Sequence, residues 1–317
     1  MKLKDFKADG KTYILDEFLR NEIKPDWDVM LKPARGRLGE NIDYTSFAPS
    51  VTIGEGILNK SGKTLVGRSV LEVGCNEGAR SFAMAKFQDT YVHGIDVDDY
   101  TVLQSPDMNN FNPNDHKYVH DMFTNVRTKL ASNFPEYVTR KVTFQTSDIA
   151  KFQATPVYDI ITSWDTIEHI LDLDNAFANM RKALVTNGVM YHEYNPFFAI
   201  NGGHSLCTLD FIYGHCRLSK EDFERYIREY RPQEEKVALN FFNKCLNRAT
   251  IADIRKQLID NNFEILAWEG TTSFTENQAM WRNKIEKDIL PEAAKLYPTV
   301  TVDDLFYTTI QFVARKK

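Results

Sequence analysis

Short apolar runs alternate with amphipathic stretches through the middle of the chain. Five of the runs have the length of a strand: 69–75, 91–97, 142–148, 158–164 and 189–195. Three stretches between them carry apolar residues at helical spacing: 77–88, 116–134 and 173–184, the last ended by Gly188. Strands that alternate with helices predict a parallel sheet covered on both faces and joined by right-handed crossovers.

Polar side chains lie at the end of every one of these predicted strands or directly after it. They are Asn76 and Glu77, then Asp96, Asp148, Asp165, Glu193 and Asn195. Because the carboxyl ends of parallel strands meet at the same edge of a sheet, ligands bind there. We therefore expect these polar residues to line one pocket.

Composition narrows the class of protein. The 317-residue chain is 43% hydrophobic and 26% charged, as is typical of a globular protein with one large domain or two. Its net charge of −5 disfavours a nucleic-acid partner, and no apolar run approaches the ~18 residues of a membrane span. The N-terminus shows no secretory signal, and the widely spaced cysteines predict free thiols in a reducing cytoplasm.

The segment LEVGCNEG, residues 71–78, follows the first predicted strand. Gly74 permits a tight turn and the close approach of a ligand, and Gly78 permits the next helix to pack near the strand. Asp96 ends the second predicted strand about 20 residues later, where an acid can accept hydrogen bonds from ribose hydroxyls. Singly these residues are ordinary turn residues and caps, but together they indicate a cofactor that carries a ribose.

Four motifs in this order resemble those of the class I S-adenosylmethionine-dependent methyltransferases. They are E-x-G-x-x-x-G at 72–78, Asp96, S-D-I at 147–149 and YDIITSWD at 158–165. The resemblance covers roughly residues 65–196 and implies a Rossmann-like α/β sheet, mostly parallel with the last strand antiparallel. It also implies that S-adenosyl-L-methionine is the cofactor. The residues that it places around the cofactor are Glu72, Gly74, Cys75, Asn76, Gly78, Asp96, Val97, Asp148, Ile149 and Trp164.

The loop departs from the family's usual G-x-G-x-G at one position, because Asn76 replaces the middle glycine. Asparagine tolerates the left-handed backbone conformation better than most residues, so the turn is expected to survive. A nicotinamide-dependent dehydrogenase would usually show G-x-G-x-x-G, which the loop lacks, and that class is disfavoured.

The resemblance also accounts for the C-terminal part. Class I methyltransferases end with a helix and an antiparallel strand pair, which we expect at 251–262, 263–270 and 305–317. Two helical insertions interrupt this core, at about 196–249 and 271–303. With the N-terminal segment 1–65 they are expected to form a lid, which leaves 66–317 as the methyltransferase domain with its two insertions.

The segment SWDTIEHI, residues 163–170, places two carboxylates and an imidazole directly after the fourth predicted strand. If a helical turn begins there, Asp165, Glu168 and His169 lie at i, i+3 and i+4 on one face. Such a set can bind a hard divalent ion or supply a general base. His204, which follows two glycines in a later loop, is a further candidate for the same pocket.

The D-x-x-E-H pattern resembles the E-x-x-E-H segment of two groups of metal-dependent O-methyltransferases. These are the ubiquinone-pathway O-methyltransferases and the small-RNA 3′-terminal 2′-O-methyltransferases, of which the second has a further histidine before a helix. The resemblance implies a divalent metal held by Asp165, Glu168, His169 and His215, with Asp165 one methylene shorter than the usual Glu. Class I methyltransferases without a metal also carry an E-H pair here, and by that likeness Glu168 would cap the turn and His169 would act as a base.

These features predict an O-methyltransferase for a small-molecule or glycan hydroxyl, with His169 and His215 as catalytic residues. The glycan preference rests on aromatic residues interleaved with polar ones in the first insertion: Phe197, Phe198, Phe211 and Tyr213, with Asn201, His204 and Asp210. The alternatives are an N- or C-methyltransferase, an RNA 2′-O-methyltransferase, and a cofactor-binding protein without transfer activity. The missing basic patch disfavours RNA.

Overall fold

The strands predicted in the middle of the chain are all present in the computed structural model, which describes residues 5–25, 47–97 and 113–317. Its strands are β1 Phe6–Ala8, β2 Lys11–Tyr13, β3 Ser69–Val73, β4 Tyr91–Asp96, β5 Val142–Thr146, β6 Tyr158–Trp164, β7 Leu184–Tyr194, β8 Phe263–Thr271 and β9 Thr309–Lys316. Its α-helices are α1 Leu19–Ile23, α2 Ala48–Lys60, α3 Ala79–Met84, α4 Pro113–Ala131, α5 Glu136–Thr139, α6 Leu173–Ala183, α7 His204–Cys207, α8 Gly214–Arg217, α9 Lys220–Tyr230, α10 Glu235–Lys244, α11 Ile251–Asp260, α12 Gln278–Lys284, α13 Leu290–Leu296 and α14 Val302–Phe306. The expected N-terminal lid, 1–65, lies partly outside the described residues.

A seven-stranded sheet has the order β5-β4-β3-β6-β7-β9-β8. The pairs from β5 to β7 are parallel, whereas β9 runs antiparallel to both β7 and β8. Val73 pairs with Ile95 and Trp164 with Glu193, so the carboxyl ends of four strands reach one edge together. The predicted Rossmann-like fold, with an antiparallel last strand, is confirmed.

The central strands are buried on both faces, which explains why they appear in the sequence as continuous apolar runs. Side chains alternate across the sheet, so Val70 and Ile160 join one hydrophobic core whereas Leu71 and Ile161 join another. Helices α2 and α3 cover the first of these faces, and α6 and α11 cover the second. The loops at the carboxyl edge therefore extend from a sheet that is packed on both faces.

A third hydrophobic core lies outside these two. It joins the hairpin β1–β2 to both insertions, with buried members that include Phe6, Phe198 and Ile285. Helix α2 is not part of this third core. Its residues Val51 and Leu58 pack into the hydrophobic core on one face of the sheet. The segment expected as one N-terminal lid thus divides between two cores. None of the helices in the described ranges combines the length and the apolar character that spanning a bilayer requires.

The transition from α6 to β7 differs from the prediction. Gly188 does not end the helix, because α6 stops at Ala183 and β7 begins at once with Leu184. Leu184 is fully buried and pairs with Tyr158, which favours extended backbone there. A register shift after Tyr158 then accommodates the residues up to Gly188.

The last strand also begins later than predicted. Residues Val302–Phe306 form helix α14, and the strand starts only at Thr309. Thr301 and Asp304 form a capping box, in which each side chain accepts a hydrogen bond from the other residue's backbone N–H. This reciprocal cap stabilises a helical turn where apolar spacing alone indicated a strand.

Candidate active site

The loop after β3 turns through residues with left-handed backbone. Gly74, Asn76 and Gly78 have φ values of 74°, 46° and 86°, so Asn76 adopts the conformation expected of it. A Cβ atom at Gly74 would overlap the Thr166 side chain, and one at Gly78 would overlap the ring of Phe144. Both positions therefore require glycine for two reasons. A side chain would overlap its neighbours, and the left-handed backbone disfavours other residue types.

Polar groups from two other elements fix this loop. Asp96 Oδ2, at the end of β4, accepts a hydrogen bond from Asn76 N at 2.6 Å. Arg127, from α4, donates to Asn76 O from Nη2 at 2.6 Å and from Nε at 3.0 Å. The same Arg127 side chain contacts the Cys75 thiol and lies 4.7 Å from the Phe144 ring centroid. Arg127 was not among the predicted site residues, because a helix 51 residues away carries no local sign of contact with the loop.

Glu72 points into the protein rather than toward the loop edge. It is buried, the Ser81 hydroxyl donates to its carboxylate, and burial raises its pKa to about 7. The remaining candidates for cofactor contact lie at neighbouring strand ends. Asp148 accepts from Ala150 N at 2.9 Å and so caps the turn that holds buried Ile149. Val97, just after β4, is 38% exposed.

Trp164 ends β6 and is buried against Tyr191, with ring centroids 5.6 Å apart. The Arg80 guanidinium, from α3, lies 5.5 Å from the Trp164 ring centroid. Arg80 is the second residue at this edge that sequence analysis missed.

The segment after Trp164 does not form the expected helical face. Asp165 has a φ of 50°, and a 3₁₀ turn begins only at Ile167. The Asp165 carboxylate is exposed, lies 3.2 Å from Arg80 Nη2, and accepts from Asn195 Nδ2 at 3.2 Å. Glu168, by contrast, is 2% exposed. Because of the left-handed residue, Asp165 and Glu168 do not share the helical face that we expected.

Three side chains do come together beneath this turn. Glu168, His169 and His204 each offer a metal-ligating atom, and these atoms lie within 4.8 Å of one another. Neither Asp165 nor His215 belongs to this group. His215 is buried and its Nε2 lies 2.8 Å from the carbonyl oxygen of Phe197, which holds the ring inside the first insertion. The group that forms therefore contains His204 in place of the predicted His215.

The polypeptide at the end of the first insertion holds the turn in place. Asn247 Nδ2 donates to the carbonyl oxygens of Ile167 and Ile170, at 2.6 and 3.0 Å. His169 Nδ1 lies 2.6 Å from the carbonyl oxygen of Cys245. The backbone N–H of Asn195 donates to Glu168 Oε1 at 3.1 Å. The orientation of Glu168 and His169 is thus set by backbone groups, which vary little in position.

Burial favours the neutral form of every member of the group. It raises the pKa of Glu168 to about 8, and the nearby Asp165 carboxylate adds to this. It lowers the pKa of His169 to about 4. It also lowers the pKa of His204 well below the usual value, with His169 and Lys24 acting in the same direction. At neutral pH both imidazoles are uncharged and can offer nitrogen lone pairs.

The aromatic residues of the first insertion pack mainly into a core, although Phe211 also lines a cavity together with Asp210 and Tyr13. Phe197, Phe198, Phe211 and Tyr213 are all buried in the core that the insertions share with the N-terminal hairpin. Asp210 forms an ion pair with Arg231 at 2.8 Å and accepts a hydrogen bond from the Tyr226 hydroxyl. The glycan preference stays a prediction, because burial of these aromatic residues in a core gives it no support.

Residues 44–267 match a family described as a methyltransferase domain. This match covers more than half of the chain, and the chain belongs to that family. The match begins before α2 and so includes part of the segment that we expected to be a separate lid. With the fold and the glycine loop, it confirms an S-adenosylmethionine-dependent methyltransferase, whose cofactor is S-adenosyl-L-methionine.

The chain is also similar to several solved structures. Phosphoethanolamine N-methyltransferase 2 of Haemonchus contortus, in complex with S-adenosyl-L-methionine, is 20% identical with a TM-score of 0.46. That match covers 84% of this chain but only 52% of the relative, so the chain spans about half of that protein. A methyltransferase of Mesorhizobium loti is 14% identical with a TM-score of 0.46, covering 82% of this chain and 96% of its own. The [4+2]-cyclase SpnF is 13% identical with a TM-score of 0.48, covering 94% and 93%. No curated protein matches the chain.

Proposed function

We propose that this methyltransferase transfers the methyl group to a hydroxyl of a small molecule, with Glu168, His169 and His204 facing the acceptor. One observation carries the proposal: these buried, lone-pair-bearing groups converge at the end of β6, directly beside the cofactor loop. The two are adjacent because Thr166, which opens the turn, fills the space that a side chain at Gly74 would need.

The residues at the loop suit the cofactor. The left-handed backbone from Gly74 to Gly78 keeps side chains away from the end of β3, and Asp96 presents a carboxylate at the end of β4. We assign the methionine part to this loop, the ribose to Asp96, and the adenine to Asp148 and Ile149. When bound, the cofactor supplies a methyl group on a positively charged sulfur, which is a good leaving group.

The transfer is a displacement in which the acceptor oxygen forms a bond to the methyl carbon. The carbon–sulfur bond breaks, its electron pair stays on sulfur, and adenosylhomocysteine is released. The hydroxyl proton must pass to another group as the new bond forms. His169 is neutral and directs Nδ1 to the Cys245 carbonyl oxygen, so the ring nitrogen that can accept a proton is Nε2.

The site also favours a small acceptor over a polynucleotide. Glu168 is 2% exposed, and the net charge of the chain is −5. A polynucleotide needs a broad basic surface, because phosphate contacts supply most of its affinity. A compact acceptor needs only a pocket that excludes water around the aligned atoms.

We further propose that the third hydrophobic core is the lid over this site, with insertions at 196–249 and 271–303 on a methyltransferase domain of 66–317. His204 and the Cys245 carbonyl group, both from the first insertion, reach the site from this core. A cytoplasmic location is supported by the cysteines, all four of which are free and buried thiols.

The test is to incubate the protein with metabolite fractions and S-adenosylmethionine that carries a deuterated methyl group, and to identify labelled products by mass spectrometry. We expect the label on oxygen, and a rate for His169→Asn that is about 10²- to 10⁴-fold lower, with adenosylhomocysteine affinity unchanged. His93→Asn is the matched control, because His93 bonds to the Tyr158 hydroxyl away from the group. Label on nitrogen or carbon would contradict the proposal, as would a His169→Asn variant of full activity.

A further inference from the structure

Two buried polar atoms beside His169 have no hydrogen-bond partner among the described residues. They are Glu168 Oε2 and His204 Nε2. Both belong to the group whose ligating atoms lie within 4.8 Å of one another. A buried polar atom without a partner is rare in folded proteins, and two such atoms from one group of residues call for a ligand.

The hydrogen bonds around the group fix which atoms face inward. His169 Nδ1 donates to the Cys245 carbonyl oxygen at 2.6 Å, so the ring carries its proton on Nδ1 and its lone pair on Nε2. Glu168 Oε1 accepts from Asn195 N at 3.1 Å, which leaves Oε2 as the oxygen available to a ligand. Histidines and carboxylates that bind metals are typically held in this way by a second hydrogen bond.

The backbone that carries His204 is strained and tightly packed. His204 has a φ of 51°, which is uncommon outside glycine, although asparagine, aspartate and histidine adopt it more often than other residues. It follows Gly202 and Gly203, and a Cβ atom at Gly202 would overlap the carbonyl oxygen of Phe197. Strained residues concentrate at sites that bind or react, where the surrounding structure holds them in place.

We propose that Glu168, His169 and His204 form a two-histidine, one-carboxylate site for a first-row divalent transition metal such as Zn²⁺ or Mn²⁺. Two imidazole nitrogens favour these ions over Mg²⁺ and Ca²⁺, which prefer oxygen ligands throughout. Three protein ligands leave coordination positions open for a further molecule. The site differs from the set that the sequence indicated, because Arg80 holds Asp165 and the Phe197 carbonyl oxygen holds His215.

The role of the ion rests on the proposed O-methyl transfer. An ion at this position would orient the acceptor hydroxyl and lower its pKa, so that its proton passes to solvent. His169 Nε2 would then be a ligand rather than the proton acceptor. The metal site itself stands on its geometry and is tested without the methyl acceptor.

The experiment uses the full chain, dialysed against a chelator and then titrated with Zn²⁺, Mn²⁺, Mg²⁺ or Ca²⁺ by calorimetry and thermal melting. Co²⁺ serves as a spectroscopic probe, because its visible absorption reports nitrogen ligands and coordination number. The test variants are Glu168→Gln and His204→Asn, in which asparagine tolerates the left-handed backbone. The matched controls are Asp165→Asn and His215→Asn, the two residues that the structure leaves outside the group.

We expect Zn²⁺ affinity to fall by more than about 100-fold in both test variants, since losing even an outer hydrogen bond costs about 10- to 100-fold. It should change less than about threefold in the controls. The inference is overturned if no transition metal binds, if Mg²⁺ binds as tightly, or if the test variants retain Zn²⁺. Loss of binding in Asp165→Asn or His215→Asn would overturn it in favour of the four-residue set. Adenosylhomocysteine binding is measured in parallel. A protein that binds Zn²⁺ but not adenosylhomocysteine would contradict the methyltransferase function and leave the metal site intact.

Discussion

The buried ion pair between Arg20 and Glu234 joins the N-terminal segment to the first insertion. The two guanidinium nitrogens Nη1 and Nη2 donate to the two carboxylate oxygens at 2.8 and 2.7 Å, and both side chains are at most 5% exposed. Nη2 and Nε of Arg20 also donate to the carbonyl oxygen of Ser205, next to His204, at 2.6 and 3.1 Å. We predict that this pair determines whether the lid stays docked.

The change Arg20→Met removes the guanidinium and leaves a carboxylate buried without its partner. Breaking a buried pair in this way costs about 3–5 kcal/mol of unfolding free energy. The double change Arg20→Met with Glu234→Leu removes both charges, and replacing a buried pair by apolar residues is often neutral. The remaining loss is the pair of hydrogen bonds to Ser205, about 1 kcal/mol each. Both variants lose these bonds, so the double variant should be more stable than the single one by about 3–5 kcal/mol, the cost of the unpaired carboxylate.

Equilibrium unfolding in urea, followed by fluorescence and by circular dichroism, measures these differences. Lys256→Met is the control, because its pair with Asp260 is exposed and should contribute less than about 1 kcal/mol. A loss below about 1 kcal/mol in Arg20→Met would refute the reasoning, as would a double variant no more stable than the single one.

Three further predictions concern the cofactor loop. Arg127→Met removes two hydrogen bonds to the Asn76 carbonyl oxygen, and calorimetry should show adenosylhomocysteine affinity lower by about 10-fold or more, with Arg127→Lys intermediate. Gly78→Ala forces a side chain into the Phe144 ring at a φ of 86°, and urea unfolding should show a loss of about 1–3 kcal/mol, whereas Gly62→Ala, with open space at φ 70°, should lose less. Glu72 binds its proton more tightly in the folded state, with a pKa of about 7 against 4.5, so the stability of the protein relative to Glu72→Gln should fall as pH rises from 4.5 to about 7. A pH-independent difference would contradict the last of these.

Local patterns predicted the sheet and the loop well, because the physics that sets them is local. The buried parallel strands must be apolar on both faces, so β3, β4 and β6 appear directly as runs in the sequence. The left-handed turn at Asn76 also follows from the residue type and its place between two glycines. In the same way, Thr301 and Asp304 carry a capping signal for α14 that apolar spacing hid.

The site depends on contacts between distant segments, which no local pattern reveals. Asp165 points to Arg80, a residue 85 positions away, only because its own backbone is left-handed. His215 and His204 lie in equivalent-looking loop contexts, and the packing of the insertion decides which one reaches Glu168. The aromatic residues near Phe197 suggested a sugar pocket, yet three separate segments meet there and bury them.

The turn that carries Glu168 and His169 is fastened by Asn247 and by the Cys245 carbonyl group, at the junction between the first insertion and α11. The first insertion therefore cannot be replaced by the corresponding segment of another methyltransferase without disturbing the turn. A graft that brought in another acceptor pocket would also remove His204 and loosen the turn beneath the methyl group. Engineering of acceptor range should therefore keep His204 and residues 245–247 as one unit.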